Sequence, residues 1–331
     1  MAASPKAMIL AAGGGTRLYP LTFTIAKPMV PVLNRPVMEH IVALLRRHGI
    51  TDIIANLHHR AEQIASYFGD GSRFGVSFDY SREHQLLGTA GGVKNVAGFF
   101  GDATFLVIGG DDLADFDLAA MLAVHRERGA VATIAVSQVE EVSQYGIVVA
   151  DDDGRIRSFQ EKPKPEEALS DLANTGVYLF EREALDFIPP GEFFDFGKQV
   201  FPLLLERGAP FFAWLAAGYW KDIGGPREFL DANLDALDGK AGICAPGEEL
   251  SPGVWREGET QANGATIEAP VALGEGCQLE SGCRVRRAVI GPGARIPSGA
   301  RLDGCVVGEG VEVPPIAARD AIFTPGRVVW V

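Results

Sequence analysis

Ala7-Met8-Ile9-Leu10-Ala11-Ala12 runs without a break into Gly13-Gly14-Gly15-Thr16-Arg17, and Lys27-Pro28-Met29-Val30-Pro31-Val32 follows after a short spacer. The apolar run reads as a parallel strand buried on both faces. A glycine turn at its end lets backbone N–H groups close on phosphate oxygens, because no Cβ stands in the way. This makes Ala11, Ala12, Gly13, Gly14, Gly15 and Thr16 the candidate nucleotide cradle. Arg17 and Lys27 add the positive charge that a triphosphate needs. That charge has to be local, since the 331-residue chain carries a formal net charge of −13. No Gly-Lys-Ser/Thr follows, so this is not a P-loop, and the glycine spacing does not fit the dinucleotide fingerprint. A glycine triplet after a strand is also the mark of a plain tight turn, so the functional reading rests on the longer string.

Beyond this stretch, strand-like and helix-like segments alternate. Helical spacing of apolar residues covers Val37 to His48, and Arg60 to Phe68 and Leu118 to Arg128 read the same way. Asp52 to Leu57, Val76 to Tyr80, Thr104 to Ile108 and Val131 to Val136 read as strands. The rhythm predicts an α/β domain with a mostly parallel sheet covered by helices on both faces. Ligands of such sheets bind beyond the carboxyl ends of the strands. Gly13 to Arg17 and Asp111, which follows Phe105-Leu106-Val107-Ile108-Gly109-Gly110, both lie at such ends. Asp151-Asp152-Asp153-Gly154, between two alternating runs, signals a hairpin, and its acidic triplet fits a solvated turn better than a metal site.

Asp238 to Gly253, rich in Gly, Pro and Glu, reads as a linker. After it the period changes. Apolar residues fall at Ile267, Leu273, Leu279, Val285, Ile290, Ile296, Leu302 and Val307, mostly six apart, with small or β-branched residues four after several of them. A hexapeptide period predicts a β-solenoid whose short strands each turn one side chain inward. Cys277, Cys283 and Cys305 then become packing residues of the coils. The expected division is therefore 1–237, linker 238–253 and solenoid 254–331.

The string Leu10-Ala11-Ala12-Gly13-Gly14-Gly15-Thr16-Arg17-Leu18-Tyr19-Pro20-Leu21-Thr22, with Lys27-Pro28-Met29-Val30-Pro31-Val32, resembles the signature of the sugar-1-phosphate nucleotidylyltransferases. Ala26 stands where that family usually has proline before the lysine. The resemblance implies a Rossmann-like sheet of the nucleotide-diphospho-sugar transferase type, followed by a left-handed β-helix. It also implies a reaction in which a sugar-1-phosphate oxygen attacks the α-phosphate of a nucleoside triphosphate and pyrophosphate leaves. The protein's task is then to hold two anions in line and to neutralise charge, with Mg²⁺ as cofactor.

The same resemblance assigns roles to further segments. Gly110-Asp111-Asp112-Leu113 and Trp220-Lys221-Asp222-Ile223-Gly224 look like the two metal-binding segments, with Asp111 and Asp222 as ligands; Asp112 is the alternative if the motif shifts by one. Two carboxylates suit Mg²⁺, which takes few protein ligands and keeps its waters. Either Asp alone would also serve as a turn or helix cap. Glu161 and Lys162, in Phe159-Gln160-Glu161-Lys162-Pro163, match the residues that hold sugar hydroxyls and sugar phosphate, although on its own the pentapeptide reads as an exposed ion pair. Tyr145-Gly146 and Asn174-Thr175-Gly176-Val177-Tyr178 match further sugar-pocket segments. Asp195-Phe196-Gly197-Lys198 resembles a segment of mannose-1-phosphate guanylyltransferases and glucose-1-phosphate adenylyltransferases.

Base choice falls on Ser81-Arg82-Glu83-His84-Gln85-Leu86-Leu87-Gly88, with Glu83, Gln85 and Gly88 as contacts. The segment looks most like the guanylyltransferase form, although Leu86 stands where that form usually has proline. A Glu83 carboxylate would accept from both donors on the pairing edge of guanine, where uracil offers one; the alternative is that Glu83 is merely exposed. The first expectation is thus GTP with mannose-1-phosphate, and the second is UTP with glucose-1-phosphate. A catalytically silent sensor on the same fold would require loss of Arg17, Lys27, Asp111 or Asp222, and all four are present. An acyltransferase solenoid would use a histidine base, and none follows His125.

Composition sets the outer limits. No apolar run approaches the ~18 residues of a membrane span, and no basic stripe suits nucleic acid. Met1-Ala2-Ala3-Ser4-Pro5-Lys6 has no secretory core. The four cysteines form no Cys-x-x-Cys pair, which argues against zinc and for reduced thiols in a cytoplasmic protein. An open solenoid end further suggests a homo-oligomer.

Overall fold

A computed structural model describes residues 4–331. Met1, Ala2 and Ala3, part of the N-terminus read above, lie outside the described residues. The chain falls into two compact units. One takes the chain up to Gly14 and Ile41–Trp220, and the other takes Gly15–His40 and Lys221–Val331.

The first unit is built on a nine-stranded sheet. Strand Lys6–Leu10 lies at its middle, parallel to Asp52–Leu57 on one side and to Phe105–Gly109 on the other, with Ser77–Arg82 parallel at the edge. These strands are apolar on both faces: Ala7, Met8, Ile9, Leu106, Val107 and Ile108 are all fully buried. On the far side of Phe105–Gly109 the direction reverses. Leu172–Phe180 is antiparallel to it and to Ala132–Gln138, and the Asp151–Gly154 turn joins Gly146–Ala150 to Ile156–Glu161 as the expected hairpin. The sheet is therefore mixed, not mostly parallel. The connection from Ala150 to Ile156 is too short for a parallel crossover, so these two strands must pair antiparallel. Helices Ala61–Phe68, Gly88–Asn95 and Leu118–Glu127 occupy the connections; Asp117 caps the last by accepting from the Ala120 N–H at 2.9 Å. Under the antiparallel half, Phe105, Phe180, Phe196 and Phe201 pack as an aromatic core, with the Phe180 and Phe196 rings stacked at 4.9 Å.

The second unit is a sheet of short parallel strands. Val254 pairs with Val271, Val271 with Ala288, and Ala272, Val289, Val306 and Ile322 follow one another across the ladder. Ile267, Val285, Leu302 and Ala318 form a parallel row, and Leu279 pairs with Ile296. The six-residue period is visible in burial. Leu279, Ile296 and Leu302 are buried between exposed neighbours, and Cys277, Cys283 and Cys305 are buried with them. Burial pushes the Cys277 and Cys305 thiols up to about 11, so they stay protonated packing groups; Cys244 is exposed.

Two boundaries differ from the sequence-based division. The stretch 238–253 is not all linker, since Glu248–Ser251 pairs antiparallel with Val254–Arg256. More importantly, Gly15–His40 and the helix Pro226–Leu237 belong with the short-stranded sheet. That helix packs on strands Thr266–Leu273, Arg284–Ile290 and Ala321–Thr324. Its fully buried Asn233 accepts from the Leu33 N–H at 3.0 Å and donates to the Pro31 carbonyl at 3.3 Å. Asn34 Nδ2 donates to the Ile290 carbonyl at 3.1 Å, and Arg35 pairs with Glu257. Buried backbone groups in a loop need such partners, and here Asn233 of the helix supplies them for Pro31 and Leu33.

Candidate active site

In the first unit, strand Lys6–Leu10 delivers Ala11 and Ala12 into burial and leaves Gly13 exposed. The Ala11 N–H donates to Asn56 Oδ1 at 2.9 Å, and Asn56 Nδ2 donates to Glu83 Oε1 at 2.8 Å. Glu83 Oε2 accepts from the Leu87 N–H at 3.2 Å. Asn56 and Glu83 are 3% and 7% exposed, so this relay is a buried brace. An added Cβ at Gly92 would lie 2.8 Å from Glu83 Oε1, so the helix must carry glycine there. Glu83 is thus neither a merely exposed side chain nor a carboxylate with both oxygens open; it ties the base loop to the entry of the glycine turn. Gln85, by contrast, is exposed. Gly88 has φ 74 and its missing Cβ makes room for the Phe194 carbonyl, which accepts from Ala90 and Gly91. Sequence reading missed Asn56; a polar residue inside an otherwise apolar buried strand was the available signal.

Asp111 and Asp112 part company at the end of Phe105–Gly109. Asp112 is buried, with Oδ2 seated against Gly109 and Gly176, where any Cβ would collide with it. Asp111 is half-buried, which leaves it as the carboxylate of the two with access to solvent. Beside them, Asn174 Nδ2 donates to the Tyr178 hydroxyl at 3.0 Å while its Oδ1 accepts from the Gly176 N–H at 3.1 Å. Burial pushes the Tyr178 phenol far above its ordinary value, and Asp112, Asp195 and Glu161 add to that rise against the Asn174 bond. Asn174 therefore shapes this corner as well as facing it.

Glu161 and Lys162 are both exposed, at the end of strand Ile156–Glu161. Lys162 holds a left-handed backbone, φ 48, and its N–H donates to the Tyr145 carbonyl at 3.1 Å. Gly146 is required by packing: a Cβ would sit 2.4 Å from the Phe159 ring. Gly197 lies beside Glu161 Oε2, at 3.2 Å for an added Cβ. Asp195 closes this side, accepting from Thr89 Oγ1 at 3.0 Å and from the Lys198 N–H at 3.2 Å.

The second unit carries the cations. Gly15 has φ 65, and an added Cβ there would lie 2.9 Å from Lys27 Cβ. Thr22 Oγ1 fixes the turn by donating to the Gly15 carbonyl at 2.7 Å. Lys27 Nζ stands 3.8 Å from Asp222 Oδ1, with Asp222 still 28% exposed. Gly224 separates Asp222 from Arg17: a Cβ there would lie 3.4 Å from Asp222 Oδ2 and 3.3 Å from Arg17 Nη1. Thr16 and Arg17 are exposed on a single 3-10 turn anchored by buried Leu18. One half-open carboxylate between a lysine and an arginine leaves this patch with an excess of positive charge, which suits phosphate oxygens. Among the described residues no group of three or more His, Cys, Asp or Glu gathers as a metal cage, and magnesium with its waters requires none.

One unit thus carries a central parallel strand running into glycine and a braced loop opening a helix, and the other carries a lysine–aspartate–arginine set. Residues 6–239 match the family model described as nucleotidyl transferase. The chain is 46% identical over 296 residues to a UTP–glucose-1-phosphate uridylyltransferase of Synechocystis, covering 85% of this chain and 76% of that one. It is 34% identical over 285 residues to a mannose-1-phosphate guanylyltransferase of Mycobacterium tuberculosis, covering 86% and 79%. Among solved structures, HddC from Yersinia pseudotuberculosis superposes with a TM-score of 0.61 at 26% identity, over 70% of this chain and 98% of that one. The chain belongs to the sugar-1-phosphate nucleotidylyltransferases, and it is a transferase enzyme. No helix among the described residues is long and apolar enough to cross a membrane.

Proposed function

We propose that the enzyme joins UTP to glucose-1-phosphate, giving UDP-glucose and pyrophosphate. Two observations favour this pair over GTP with mannose-1-phosphate. The uridylyltransferase relative is the more similar of the two reported above. And Glu83, on which a guanine preference rests, already accepts from Asn56 and Leu87 through separate oxygens. The second reading, GTP with mannose-1-phosphate, keeps the support of the guanylyltransferase relatives.

The observation that carries the chemistry is the Lys27–Asp222 pair beside the obligatory Gly15 turn. In the reaction a phosphate oxygen of the sugar-1-phosphate forms a bond to the α-phosphorus, and the bond from that phosphorus to the bridging oxygen breaks. No proton has to be taken by a histidine. Arg17 and Lys27 neutralise triphosphate charge as it moves onto the leaving pyrophosphate. Lys162 holds the sugar phosphate, and Glu161 accepts from sugar hydroxyls. Ala11 to Thr16 line the triphosphate, Gln85 and Gly88 meet the base, and Gly146 and Asn174 shape the sugar side. Asp111 and Asp222 are each proposed as magnesium ligands; the ion when bound supplies charge neutralisation on the phosphates.

We further propose that 254–331 form a left-handed β-helix serving stability and self-association in a cytoplasmic homo-oligomer. The parallel ladders and their six-residue burial period support that reading. A pyrophosphate-release panel crossing four nucleoside triphosphates with glucose-, mannose- and N-acetylglucosamine-1-phosphate tests the substrates. Highest kcat/KM for UTP with glucose-1-phosphate is expected; a preference for GTP with mannose-1-phosphate would replace this pair with the second reading.

A further inference from the structure

Away from every residue assigned above, the outer face of the coils carries a groove of about 430 Å³. Its charged lining is Glu268, Arg284, Arg286, Arg301, Asp303 and Arg319, over a floor of Leu302 and two alanines. Four cations and two carboxylates leave an excess of positive charge, on a chain whose formal charge is −13.

The ladder register explains the geometry. Arg284 is directly paired with Arg301, Arg286 with Asp303, and Asp303 with Arg319. Neighbouring strands lie about 4.8 Å apart, and like charges placed opposite each other on a sheet repel. Three of the four arginines have local carboxylates. Arg284 Nε donates to Glu268 at 2.6 Å, while Arg286 and Arg319 share Asp303 at 2.6 and 3.1 Å. The Arg286 guanidinium, with Arg319 adding to it, holds the Asp303 carboxyl below its usual range. Among the described residues Arg301 has no side-chain hydrogen bond and no ion pair. In the ladder Arg301 is flanked by Arg284 on one side and by Ala317 on the other, so no carboxylate is paired with it.

We propose that this groove binds a small phosphate-bearing polyanion, with Arg301 as its central contact and Arg284 as the second. A guanidinium fork matches phosphate oxygens two at a time, and an anion between Arg284 and Arg301 removes the repulsion that the register imposes. The groove volume suits a small metabolite and is within the usual range of ligand sites, about 300–1,000 Å³. The groove lining includes none of Arg17, Lys27 and Asp222, so the two sets share no residue.

Isothermal titration of the full chain with inorganic tripolyphosphate tests this. The wild type is expected to take up two equivalents, one at the triphosphate site and one in the groove. Arg17→Ala should weaken only the first. Arg301→Ala should weaken only the second, by about tenfold or more for a lost charge-assisted contact, and Arg301→Glu should abolish it. Arg301→Lys should restore part of the second site, because the charge returns without the fork. Arg301 is exposed, so these variants should keep the wild-type melting curve and basal turnover. One equivalent in the wild type, or two in Arg301→Glu, would overturn the proposal. So would a lower sedimentation mass in Arg301→Glu with unchanged tripolyphosphate binding, since the groove would then be filled by a second copy of the chain.

Discussion

Asn56 and Glu83 meet through a 2.8 Å hydrogen bond in which the amide donates and the buried carboxylate accepts. The other end of the same amide accepts from Ala11, and the other oxygen of the same carboxylate accepts from Leu87. One side chain thus couples the glycine turn to the base loop.

Asn56→Ala leaves the Glu83 carboxylate and the Ala11 N–H short of a partner in a buried place. Unsatisfied buried groups of this kind cost roughly 1–3 kcal/mol. A lower denaturation midpoint is expected, with a higher KM for the nucleotide and less change in KM for the sugar phosphate. Unaltered stability and nucleotide KM would show that the brace is idle.

Asp111→Asn and Asp222→Asn each remove a charge proposed to hold magnesium. Turnover at saturating Mg²⁺ should fall by two orders of magnitude or more, on the order of other losses of transition-state charge stabilisation. Wild-type melting is expected for Asp111→Asn, which is half-exposed. Normal rates in both variants would move the metal site elsewhere.

Lys162→Ala is expected to raise the KM for the sugar phosphate by about tenfold or more, the scale of a charge-assisted contact. The nucleotide KM should change little. The side chain is exposed, so folding should be untouched; an unchanged sugar-phosphate KM sinks the assignment.

Leu279→Ala, Ile296→Ala and Leu302→Ala empty a narrow packed interior, and each should cost ~2–5 kcal/mol. From sequence alone, a chain ending near Asp238 should keep some activity while losing stability or subunit association. The packing points the other way. Asn34 and Arg35 bond to Ile290 and Glu257, and helix Pro226–Leu237 lies on the short-stranded sheet. Truncation is now expected to lose turnover together with stability, because Gly15, Arg17 and Lys27 sit on the loop so anchored. A well-folded, active fragment would restore the simpler division.

Acid should weaken the fold through buried His125 and half-buried His40. Burial holds His125 below its ordinary value, against the opposing pull of Glu181, and burial holds His40 below 6.5 against its bond to the Val32 carbonyl. The folded rings stay neutral where the unfolded chain protonates. The unfolded state then binds more protons, so stability is complete above about pH 6.5 and declines below it. Urea midpoints measured from about pH 7.5 to 5.5 should fall; a flat profile or a rise would contradict this.

The strand–glycine–arginine string, the hairpin at Asp151–Gly154 and the six-residue period were legible in the chain because each is a local pattern with a local cause: burial of a run, left-handed turn chemistry, or one inward side chain per short strand. The family and the reaction class came from the resemblance of the Leu10–Thr22 and Lys27–Val32 strings to a known signature. Three things depended on tertiary structure. The reversal of Leu172–Phe180 made the sheet mixed, which no window of sequence records. Glu83 turned from a candidate base contact into a brace only when Asn56, far away in the chain, arrived beside it. And Gly15–His40 joined the short-stranded sheet because the Leu33 N–H finds its partner on Asn233 and the Asn34 side chain finds one on the Ile290 carbonyl. Propensity and period act over a few residues, whereas the partner of a buried polar group is chosen by whatever the fold brings within 3 Å or so.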